Sequence, residues 1–73
     1  MNDLQQTIYK YCITRIRVSL TKYVIIRSCD ITNDCNIDVP TFSIIEPVVR
    51  QLEKDGYRAN QFDYGPGIVI ISW

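Results

Sequence analysis

The hydrophobic period of this chain changes at Gly56, and no other feature constrains its fold as much. Before Gly56, the residues Ile44, Ile45, Val48, Val49 and Leu52 recur at three- and four-residue spacing, the stripe of an amphipathic helix. Ser43 with Glu46 three residues later reads as a capping box, and Gly56 supplies a left-handed stop. On that reading Pro47 falls in the first turn, where its missing N–H costs little. After Gly56 come two short strands, about 57–63 and 67–73, separated by Tyr64-Gly65-Pro66-Gly67, a turn by composition. A helix followed by a hairpin must bury both against one core, so the class is α+β.

Upstream, residues 3–29 read as one long helix capped by Asn2 or Asp3. Ile8, Cys12, Ile16, Leu20 and Val24 recur at every fourth place, with Tyr9, Ile13 and Tyr23 beside them. The run ITRIRVSLTKYVII is rich in β-branched residues, which mildly disfavour helix. A helix to about residue 20 followed by a strand at 23–31 is therefore the alternative.

Between these blocks lies CDITNDCNIDVP, residues 29–40. Asp30, Thr32, Asp34, Asn36 and Asp38 place an oxygen on every second position, as a calcium loop does. The sixth loop position, which needs Gly, is Cys35, and the twelfth, which needs a bidentate Glu, is Thr41. The odd positions Cys29, Ile31, Asn33, Cys35, Ile37 and Val39 are apolar except for Asn33, which is the period of a half-buried strand. Thr32-Asn33-Asp34 then reads as a turn and Cys35–Val39 as a wet-faced edge strand, and no metal is expected. The expected architecture is one domain, 1–73: long helix, short strand, second helix and C-terminal hairpin. Its three strands form an antiparallel sheet with two helices on one face.

Chemistry is hard to place on this chain. It has no histidine, so the commonest general base and metal ligand are absent. Cys12, Cys29 and Cys35 form an odd set without CxxC spacing, which fits a reducing cytoplasm and no zinc site. Cys29 and Cys35 are expected as small buried hydrophobes. Gly65-Pro66-Gly67 does not precede a helix and makes no phosphate loop. Glu46 and Glu53 belong to a charged outer helix face, with Glu46 paired to Arg50. No enzyme, catalytic residue or cofactor is expected. The start MNDLQQ is polar, and no apolar run is long enough for a membrane span.

The 8 basic and 8 acidic residues cancel but are unevenly placed. Residues 4–29 carry Lys10, Arg15, Arg17, Lys22 and Arg27 without an acid; residues 30–73 carry seven acids against Arg50, Lys54 and Arg58. In outline, residues 43–73 (helix, Gly56-Tyr57, strand, turn, strand) resemble the recognition helix and wing of winged-helix proteins. The charges speak against that use, because Glu46, Glu53, Asp55 and Asp63 offset Arg50 and Lys54 and phosphate affinity follows neutralised charge. The cations of the first helix, with Lys10 and Arg17 a heptad apart, read better as stems bordering a packed stripe.

Apolar excess points to protein binding. In the last strand Ile68 and Ile70 point one way, and Val69, Ile71 and Trp73 the other. Antiparallel sheets normally leave one face wet, so an apolar second face needs a cover. The first helix has a similar surplus in Tyr11, Val18 and Ile25. The expected contact surface is the flank Arg15, Arg17 and Lys22 with the strand face Val69, Ile71 and Trp73. The partner would be another protein or a second copy; nucleic acid and membrane are not expected.

NIDVP, the capped helix ending QLEKDGY and the hairpin closing on IVIISW, together residues 36–73, resemble small accessory proteins of tailed bacteriophages. Many of these end with a Gly-Tyr-started strand and a terminal Ile-Ser-Trp. The resemblance implies a viral α+β domain with Tyr57, Ile71 and Trp73 in its core. Such a domain would act on a host protein in the bacterial cytoplasm or within a virion assembly.

Overall fold

Asn2 starts the first helix by a reciprocal cap: its side chain accepts the Gln5 N–H at 2.9 Å, and the Gln5 side chain accepts the Asn2 N–H at 3.0 Å. The computed structural model, which describes residues 1–62 and 67–73, carries this helix, α1, over Asp3–Val18. Ile8, Cys12 and Ile16 are its buried stripe.

The long helix expected over 3–29 is not formed. Ser19 turns extended at φ −72° and ψ 135°. Its hydroxyl accepts the Thr21 N–H and donates to the Tyr23 carbonyl, giving the backbone partners outside a helix. Leu20, placed on the stripe by its spacing, stands fully exposed. The β-branched run then forms strand β1, Tyr23–Arg27, close to the start of the alternative reading.

The wet-faced strand at Cys35–Val39 is also corrected. Ser28–Cys35 is a helix, α2. The Asp30 carboxylate accepts the Arg27 N–H at 3.1 Å at its start, and Asn36 ends it in the left-handed region at φ 55°. Ile31 and Cys35 are four apart, so the spacing that suits one face of a strand also suits one face of a helix. The tie is broken by packing, since Ile31 is 1% exposed against α1 and the sheet.

Helix α3 runs over Phe42–Lys54. Its cap is Thr41, whose hydroxyl accepts the Ile44 N–H, and not Ser43, which sits inside the first turn. Pro47 consequently lies two residues deeper in the helix than expected. The Gln5 amide donates to the Ile44 carbonyl at 3.2 Å in this stretch and ties α3 to α1. Gly56, at φ +100°, does end the helix: its N–H reaches Glu53 and the Tyr57 N–H reaches Leu52, both at 3.1 Å.

Strands β2 (Arg58–Phe62) and β3 (Ile68–Ser72) pair antiparallel, and β3 lies between β1 and β2. Except for Gly67, the expected turn lies outside the described residues. The class is α+β as expected: three helices pack on one antiparallel sheet. Val24, Ile26, Ala59, Val69 and Ile71 face the helices and are buried. The element order is α1-β1-α2-α3-β2-β3, with β3 central in the sheet.

Candidate functional site

The sheet has a second face, and no helix among the described residues covers it. Its strands place Tyr23 beside Ser72 and Arg58, then Ile25 beside Ile70 and Asn60, then Arg27 beside Ile68 and Phe62. These positions alternate with the buried ones, so their side chains share the outer side. Tyr23 is 52% and Ile25 47% exposed, and Ile68 and Ile70 are half-buried. The open face of such a sheet ordinarily carries polar side chains; here its middle is aliphatic.

Charge on this face has one sign. Arg58 is exposed and Arg27 holds Asp30 at 3.2 Å, with 58% of the Arg27 side chain still open. The Arg27 backbone N–H and then its guanidinium hold the Asp30 carboxyl below its usual range. No acid belongs to the outer face itself among the described residues.

The surface expected from sequence is split by the fold. Val69 is 5% exposed and Ile71 not at all: they are core, and the open side of β3 belongs to Ile68 and Ile70. The strand divides into the two expected sets, but Val69 and Ile71, expected on the exposed side, face the core. Trp73 extends the ladder, its N–H donating to the Lys22 carbonyl at 3.1 Å, and its ring meets Tyr57 edge-on at 6.4 Å. It therefore sits on the core side of the sheet, although 40% exposed.

Arg15 is a structural residue. Its guanidinium donates to the Tyr11 hydroxyl at 2.8 Å and reaches the Ile25 carbonyl at 3.5 Å, on the outer edge of β1. Tyr11 in turn donates to Asp34 at 2.6 Å. Ser19 and Thr21 hydroxyls occupy the Tyr23 carbonyl on the same edge. Side chains thus occupy an edge that could otherwise pair with another strand. Arg17 and Lys22 are exposed, as expected.

The exposed side of α3 carries Glu46, Arg50, Glu53 and Lys54, with Arg50 holding Glu46 at 3.3 Å. Asp30, Asp34 and Asp38 stand on α2 and the following loop. A groove of about 540 Å³ lies between this loop and the β2–β3 pair, lined by Ile31, Val39, Phe42, Ile45 and Val69 among others. It is a groove of mixed polarity, with Ser28, Thr41, Ser43 and Gln61 also on its walls and a charge-balanced helix at its side.

Chemical groups are scattered rather than gathered. Among the described residues no three His, Cys, Asp or Glu side chains lie together as metal ligands. Cys12 is buried, Cys35 partly buried and Cys29 exposed, so the expectation of a buried Cys29 is corrected. Burial pushes the Cys12 thiol up to about 12, which leaves it without useful thiolate at neutral pH. No described helix is long and apolar enough to cross a membrane. No family, curated protein or solved structure matches the chain.

Proposed function

We propose that this chain is a non-catalytic protein-interaction domain that docks a partner protein on the open face of its sheet. The observation that carries the reading is the aliphatic middle of that face, Ile25, Ile68 and Ile70, with Tyr23 at its corner. A monomer exposing such a patch leaves apolar area to water that a partner would remove. The concrete form is a phage-encoded protein that binds and modulates a host protein in the bacterial cytoplasm. It rests on the resemblance of residues 36–73 to phage accessory proteins.

The test is capture from bacterial lysate on the tagged protein, with and without nuclease, at low and high salt, beside folded Ile70→Ser and Arg58→Glu variants. A stoichiometric protein band lost by both variants is the expected result. Equal capture by all three proteins rejects the reading. Homogeneous multimers without a captured protein would favour the alternative, a structural or assembly component.

A second reading, resting on the likeness in outline of residues 43–73 to winged-helix proteins, is that α3 enters a DNA groove. Here the charges weigh against it, because α3 is balanced and α2 with its loop is acidic. Capture that disappears with nuclease would establish it over the first.

A further inference from the structure

Resting on the reading of the open face as a docking surface, we infer that its partner presents an amphipathic helix with acids on both flanks of an apolar stripe. The inference comes from the layout of the face. Its aliphatic and aromatic residues run diagonally, from Tyr23 and Ile25 on β1 to Ile70 and Ile68 on β3. The two other corners of this band are cations: Arg58 at the start of β2 and Arg27 at the end of β1.

Strand spacing puts these two corners roughly 16 Å apart, with the band between them. A helix with its side chains is about 10 Å across. A helix laid along the band would therefore pass between Arg58 on one side and Arg27 on the other. Carboxylates on both of its flanks would meet them. Arg27 keeps capacity for this, because Asp30 engages only its Nε and Nη2 among five N–H donors.

The same charges disfavour the other occupants. A second copy stacked face to face would offer Arg58 no acid from its own outer face among the described residues. Phosphate backbones find two guanidiniums, one already held by Asp30, around an apolar middle. An acid-flanked apolar helix satisfies both features of the face together.

The experiment uses two labelled 18-residue helical peptides with the same leucine stripe, flanked by Glu in one and by Lys in the other. Fluorescence anisotropy against the whole protein should show the Glu peptide binding about tenfold more tightly at low salt. The gap should shrink at high salt and close or invert with Arg58→Glu. Equal affinity, preference for the Lys peptide, or no binding of either overturns the inference. So does a sedimenting dimer whose dissociation follows Ile70→Ser, or displacement of the Glu peptide by a single-stranded oligonucleotide. If the peptides fail while Ile70→Ser still loses the captured protein, the helix chemistry falls and the docking surface stands. If capture is also indifferent to Ile70→Ser, both fall.

Discussion

The hydroxyl of Tyr11 on α1 donates a 2.6 Å hydrogen bond to the carboxylate of Asp34 on α2. Arg15, one turn along α1, donates to the same hydroxyl and lies over the Tyr11 ring at 5.7 Å. A helix that the chain spacing does not announce is thereby tied to one that it does.

Tyr11→Phe removes both hydrogen bonds and should cost about 1 kcal/mol, measured by urea denaturation. The wild type should also lose stability in alkali. Burial first, and then the bond to Asp34, push Tyr11 from 10.0 to about 12. Tyr9, bonded to Asp55, rises equally. A raised folded value means the contribution is complete below pH about 10 and disappears as pH rises through about 12. Tyr9→Phe and Tyr11→Phe should each flatten that decline; unchanged slopes in both would contradict it.

Thr41→Ala should lower stability by about 1 kcal/mol, because it removes the cap of α3. Ser43→Ala should change it by less than about 0.5 kcal/mol, since Ser43 is already inside the helix. The pair separates the observed start of α3 from the one its sequence suggests. Thermal unfolding of the two variants side by side decides it.

Gly67 stands at φ +78°, and a Cβ there would lie 2.6 Å from the Ser28 hydroxyl oxygen. Gly67→Ala should therefore cost more than the roughly 1 kcal/mol typical of forcing the left-handed region on alanine. Ser28→Ala in the same chain should recover the steric part and leave the conformational part. Gly56→Ala meets no atom within 4 Å and should show the conformational cost alone. A double-mutant cycle between positions 28 and 67 reads the coupling directly.

Thiol labelling of the native protein should proceed at Cys29 first, because it is exposed. Cys12 should stay unlabelled until denaturant is added, held back by burial and a thiol pushed up to about 12. Mass spectrometry of labelled peptides distinguishes the sites. Labelling of Cys12 at the rate of Cys29 would show that the contact of α1 with the core opens readily.

The α3 stripe and the Gly56 stop could be read from local chemistry, since period and backbone freedom belong to the residues themselves. So could the division of β3 into Ile68 with Ile70 and Val69 with Ile71, because strand alternation is geometric. Which set faces inward could not be read, because both are aliphatic and of similar bulk. The helices decided it by packing on Val69 and Ile71, which moved the candidate surface to the opposite side of the same strand. Residues 28–39 posed the same ambiguity in another form. Ile31 and Cys35 satisfy a period of two and a turn of helix alike, and only the contacts with α1 and β1 selected the helix. Sequence determined the class, the stops and the pairs of alternatives; tertiary burial chose between alternatives that local energies leave nearly equal.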